Sequence, residues 1–171
     1  MDASVARAAG RKTATAPTSK DCRNFLETMR RETRHHVVLP PPLRDEWDRH
    51  MSRFTSTWLA AMAARGRVIS DKVGTNDTRR REIEGAAATK PTELAALRKD
   101  FHLVEAALAT DRTVVSRDDE VRRLFRAAAQ SVAAIQKVVW VNPTVPAEKS
   151  IEWLLNGAKA ENVRTLGYRE K

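Results

Sequence analysis

Apolar residues recur every three or four positions through "SKDCRNFLETMRRETRH", where Cys22, Phe25, Leu26 and Met29 fall on one stripe. That period predicts an amphipathic helix, with Ser19 as its N-cap. The polar stretch before it, residues 1–18, has little apolar periodicity and predicts a loop, preceded at most by the stump of a strand. "HHVVLPPP" is a short apolar run closed by prolines, hence a buried strand. "PPLRDEWDRHMSRF" restarts a helix with Pro42 in its first turn. "TSTWLAAMAARG" predicts another, closed by Gly66, and "RVIS" a small strand.

The most polar stretch, "DKVGTNDTRRREIEGAAATKP", predicts a loop with a short helix at 78–86. "TELAALRKDFHLVEAALATD" predicts one long helix or two in succession, with Leu94, Leu97, Phe101, Val104 and Leu108 inward. Strand, helix and strand follow in "RTVVS", "DDEVRRLFRAAAQSVAAI" and "KVVWV". A last helix in "PAEKSIEWLLNGAK" starts near Pro146 and stops near Gly157. The strands VVL, TVV and VVWV are continuously apolar rather than alternating. Continuous apolar strands are buried on both faces, which implies an α/β chain with a mostly parallel sheet covered by helices. In such sheets, sites lie at the carboxyl ends of the strands.

Length sets the scale: 171 residues suit one domain with a sizeable core. Hydrophobic residues make up 42% and charged residues 31%, a balance for a globular chain. Nothing approaches the ~18 unbroken apolar residues of a membrane helix. "MDASVARAAGRK" is too short and polar for a secretory leader, and a single cysteine allows no internal disulfide, so the expected setting is the cytoplasm. Charge adds a partner class. The net charge is +9, from 31 Lys and Arg against 22 Asp and Glu. A basic surface attracts polyanions, nucleic acid first.

Several carboxylates then stand out. "VVSRDD" stops an apolar strand at Asp118 and Asp119. An acid there caps the following helix, and the same position is the carboxyl edge of the sheet. Asp100 lies on an apolar helix among Leu97, Phe101, Leu103 and Val104, where an unpaired carboxylate is costly to bury. Glu46 sits between Leu43 and Trp47, close to another apolar face, and Asp2 precedes a small and an apolar residue in "MDASV". Carboxylates that converge repel one another unless a cation lies among them, and Mg²⁺ or Mn²⁺ takes such oxygen ligands. Beside a basic surface, that chemistry points to phosphodiester hydrolysis.

With these acids in order, the sequence resembles a PIN domain, the nuclease fold common among toxin–antitoxin toxins. The resemblance covers Asp2 to about Pro146, a PIN-like domain at 1–146, with 147–171 as a C-terminal helix and tail of the same domain. "MDASVA" matches the first acid of the family with Asp2, and "VVLPPPLRDEWDRH" the second with Glu46. "DFHLVEAALATD" matches the third with Asp100, and "VVSRDD" the fourth with Asp118, Asp119 being the alternative. The likeness implies a three-layer sandwich with a short central, mostly parallel sheet flanked by helices. It implies Mg²⁺ or Mn²⁺ held by Asp2, Glu46, Asp100 and Asp118, RNA as substrate, often a cognate antitoxin, and a homodimer in many members. One departure stands out: the apolar run that should form the first strand is missing ahead of Asp2, so that strand is expected to be truncated.

The remaining candidates divide. His102, two positions from Asp100, should point away from it on a helix, toward packing or capping, with a secondary place in the cleft as the alternative. Arg79, Arg80 and Arg81, with Arg53, Arg65 and Arg67, could contact phosphates or form a solvated face. Trp47, Trp58, Trp140, Trp153 and Cys22 read as core. No zinc spacing, phosphate-binding glycine loop or GxSxG is present. Three readings therefore compete: a metal-dependent ribonuclease, a non-catalytic PIN-like binding module, and an interaction protein whose acids are only caps.

Overall fold

In the computed structural model, residues 1–10, 13, 15–87 and 90–169 are described. Eight α-helices and four short strands follow one another among them. They fall into two compact units with interleaved chain segments. The first takes Met1–Lys72, Val115–Arg117 and Val141–Lys159; the second takes Val73–Val114, Asp118–Trp140 and Ala160–Lys171.

The first unit begins with a helix where the sequence predicts a loop. α1 (Ala3–Ala8) forms because the Asp2 side chain accepts from the Ser4 N–H, satisfying one of the donors a helix start leaves open. α2 (Pro17–Glu32) starts two residues ahead of Ser19, since Pro17 occupies its first position and needs no N–H partner. Cys22, Phe25, Leu26 and Met29 are buried on it, as its period predicts. β1 (Val37–Val38) follows. α3 (Pro41–His50) and α4 (Arg53–Ala63) are two helices, divided because Ser52 accepts from the Thr55 N–H and starts α4 anew. Gly66, at φ +65°, turns the chain after α4 in the left-handed region where glycine is unstrained.

β2 (Val68–Ile69) pairs with β1 in parallel, Val37 opposite Val68 and Val38 opposite Ile69. The indoles lock the core of this unit. Trp58 donates to the Leu26 carbonyl at 2.6 Å, Trp47 to the Met1 carbonyl at 3.0 Å, and the two rings lie 6.0 Å apart. Arg67 closes the end of α2. It donates to the carbonyls of Met29 (2.6 Å) and Arg30 (3.0 Å), which the helix itself cannot satisfy, and to that of His35 (2.7 Å) beyond the helix. That commitment removes Arg67 from the arginines that could meet phosphates.

In the second unit, α5 (Asp77–Ala87) and α6 (Pro91–Leu108) precede β3 (Thr113–Val115), and α6 is one continuous helix. α7 (Asp119–Ala129) buries Val121, Leu124, Phe125 and Ala128, one stripe at helical spacing. A 3-10 turn at Ala133–Ile135 leads into β4 (Val139–Val141). Phe125 packs edge-on to Phe101 at 6.1 Å and against Trp140 at 5.9 Å.

β3 and β4 form the second two-stranded sheet, and the unit boundary falls within both strands. Val139 donates to Arg112 O and Ser116 to Val141 O, the slanted pattern of a parallel pair. The architecture is thus α/β with short parallel pairs among helices. A single continuous sheet is not formed among the described residues, because each strand run holds only two or three paired residues. The last predicted helix is broken in two. A 3-10 turn covers Pro146–Glu148, and α8 (Ser150–Leu155) restarts after Lys149 takes φ +42°. No helix among the described residues is long and apolar enough to cross a membrane.

Candidate functional site

Asp2 is placed by β3. Its N–H donates to the Val115 carbonyl at 2.9 Å, so residue 2 lies beside the carboxyl end of that strand, where a site acid is expected. Its carboxylate, 7% exposed, is already well supplied with donors. Oδ1 accepts from the Ser4 N–H at 3.2 Å; Oδ2 accepts from the Ser116 hydroxyl at 2.5 Å and from the Ser4 hydroxyl. Ser4 Oγ in turn accepts from the Arg117 N–H at 3.1 Å. Ser4 was not singled out by the sequence; Ser116, which follows TVV in "VVSRDD", reads there as a helix-cap candidate beside Asp118, and the structure gives the cap to Asp118 and turns Ser116 to Asp2. Glu46 lies in the same unit on α3, half-buried beside the fully buried Trp47, so the α3 face that carries it is tied through Trp47 to Met1, the residue before Asp2.

Asp100 and His102 belong to the second unit, on α6. Asp100 is 5% exposed, set in the helix stripe with Leu97, Phe101 and Val104. Two positions along a helix would set the side chains on different faces, yet a carboxylate oxygen of Asp100 and a ring nitrogen of His102 lie within 4.8 Å of each other. Both side chains are long enough to bend toward one point. A carboxylate and an imidazole at that separation could hold one divalent cation, and a mixed oxygen–nitrogen pair suits Mn²⁺ better than the all-oxygen shell Mg²⁺ prefers.

Asp118 is a helix cap. Its Oδ1 accepts from the Val121 N–H at 2.9 Å, and Arg122 N bonds its carbonyl at 3.1 Å. The choice between Asp118 and Asp119 resolves for the cap: Asp119 is the exposed first residue of α7, 3.8 Å from Arg122.

The arginines of α5 split. Arg80 is bound to Glu105 through two parallel bonds, Nε at 2.8 Å and Nη2 at 2.7 Å, and stacks over Phe101 at 5.4 Å. Glu105 raises the Arg80 pKa above its already high ordinary value. Arg80 is therefore a structural cation, and Glu105, a buried acid on α6 that the sequence reading missed, is its partner. The signal was present: a second acid on the apolar stripe of one helix needs a counter-charge. Arg81 donates to the Asp77 carbonyl at 3.3 Å, and the Arg79 guanidinium makes no ion pair among the described residues.

No protein-family model, curated protein or solved structure matches this chain. The functional reading rests on its own residues.

Proposed function

We propose that the protein is a metal-dependent endoribonuclease of the PIN-like kind, with Asp2, Glu46, Asp100 and Asp118 as its acids and His102 as an added ligand. The observation that carries the reading is the buried Asp100 carboxylate with an imidazole within 4.8 Å of it. A buried carboxylate and an imidazole within reach of one point offer the mixed oxygen–nitrogen ligand set that a divalent cation such as Mn²⁺ accepts. A bound Mn²⁺ or Mg²⁺ would supply a water acidic enough to attack a phosphodiester at neutral pH. Asp100 and His102 would hold the ion, with Asp118 in the same unit; Glu46 and Asp2 are the acids that the PIN resemblance adds to the set. Asp2 is held by Ser116 and Ser4. Arg79 and Arg81 would meet the RNA backbone, and the net charge of +9 would draw it in. A cognate antitoxin and a homodimer rest on the PIN resemblance alone, and a cytoplasmic setting on the single cysteine.

One observation favours a second reading, a PIN-like module that binds RNA without cutting it: the Asp2 carboxylate already accepts three hydrogen bonds. Incubation with labelled RNA separates the two. Cleavage with Mn²⁺ that stops with EDTA supports the nuclease. RNA binding that survives EDTA, with no cleavage in any metal, supports the module.

A further inference from the structure

α2 and α4 line an open cleft of about 610 Å³ that the proposed nuclease chemistry does not use. Its volume lies in the range of small-ligand sites, roughly 300–1,000 Å³. Glu27, Arg30 and Arg31 reach it from α2, at the i, i+3 and i+4 positions that share a helix face. Arg53 and Thr57 reach it from α4, over an apolar floor that includes Phe54. The floor is rigid, because the Trp58 indole beside it is pinned to the Leu26 carbonyl at 2.6 Å.

The charge in this cavity does not balance. Glu27 Oε2 accepts from both Arg30 Nη2 at 2.6 Å and Arg31 Nε at 2.7 Å, so the one carboxylate is shared by two guanidinia. The third guanidinium, on Arg53, makes no hydrogen bond or ion pair among the described residues. Among the described lining residues, three cations stand against one anion, an excess of two positive charges. Arg53 also opens the first turn of α4, where the helix dipole disfavours a cation. A dianion in the cavity would offset both. A phosphate monoester carries about −1.5 to −2 charge at pH 7 and three acceptor oxygens, which guanidinia bind in pairs. The apolar floor calls for a flat apolar body attached to that head.

We propose that this cavity is a binding site for a nucleoside monophosphate, with the phosphate on Arg53 and Arg31 and the base over Phe54. It is independent of the metal chemistry and stands if the nuclease reading fails.

Calorimetric titration of the full chain tests it, with AMP, adenosine and inorganic phosphate as probes. AMP should bind with a dissociation constant in the micromolar range, and adenosine and phosphate at least tenfold more weakly. Arg53→Ala should weaken AMP about tenfold with an unchanged melting temperature, Arg53→Lys should weaken it less, and Asp100→Asn should bind AMP as the wild type does. The proposal is overturned if AMP does not bind at millimolar concentration, if it binds no better than phosphate or adenosine, or if Arg53→Ala titrates like the wild type. Loss of AMP binding in Asp100→Asn would equally overturn it, by placing the nucleotide elsewhere.

Discussion

The Ser116 hydroxyl donates to Oδ2 of Asp2 at 2.5 Å across 114 positions of the chain. Both groups are buried, so this bond fixes the chain start to the carboxyl end of β3. Removing a partner from a buried acceptor costs about 1–3 kcal/mol. Ser116→Ala should therefore lower the unfolding free energy by about that amount in a urea titration. An unchanged midpoint would mean that Ser4 alone holds Asp2.

Arg80 and Glu105 form the buried ion pair of the second unit. Breaking such a pair from one side leaves a buried charge and costs on the order of 2–4 kcal/mol, at the lower end here because Arg80 is 31% exposed. Arg80→Ala should destabilise the fold more than Arg79→Ala or Arg81→Ala. In RNA binding the order should reverse, with Arg79→Ala and Arg81→Ala each flattening the salt dependence of binding. Equal stability of the three variants would show that the Glu105 pair contributes nothing.

Burial pushes the Cys22 thiol up to about 11 from an ordinary 9.0, against a smaller lowering effect of Arg117. A thiol whose folded pKa exceeds its unfolded value keeps its proton in the native state. Its contribution to stability is full below pH 9 and is lost as pH rises from 9 to about 11. Chemical denaturation across that window should show a steeper loss for the wild type than for Cys22→Ala. Iodoacetamide at pH 8 should alkylate Cys22 only on unfolding; rapid alkylation of the native chain would contradict the burial.

Much of the fold was legible because burial follows period. The stripe from Cys22 to Met29, the buried Leu97, Phe101 and Val104 of α6, the stripe of α7 and the short apolar strands follow from their spacing, whereas Leu94 and Leu108, read as inward, are only half-buried. What was not legible depended on local capping and on long-range bonds. The helix at Ala3–Ala8 hangs on one Asp2 side chain, and the break at Lys149 on a single left-handed residue; neither leaves a periodic trace. Strand runs could be seen, but their division into two separate pairs is a tertiary outcome. At the candidate site, the acids were visible as charges on apolar faces. The Ser116–Asp2 bond and the Glu105–Arg80 pair were not, since the partners lie 114 and 25 positions apart. His102 comes within reach of Asp100 because helical projection fixes where a side chain leaves the backbone, not where its far end arrives.

If Asp100 and His102 hold a cation, the ion stabilises the folded chain by mass action. Saturating Mn²⁺ should raise the melting temperature of the wild type by several degrees, and less for Asp100→Asn and His102→Ala. An equal rise in all three would move the metal away from α6.

The central claim is tested most directly by cleavage of a labelled RNA pool by the wild type and by Asp100→Asn, in Mn²⁺, in Mg²⁺ and in EDTA. The account predicts cleavage by the wild type in metal alone, and a loss of at least about a hundredfold in a variant that melts like the wild type when metal is withheld. Cleavage retained by Asp100→Asn, or none by the wild type in either metal, would contradict it.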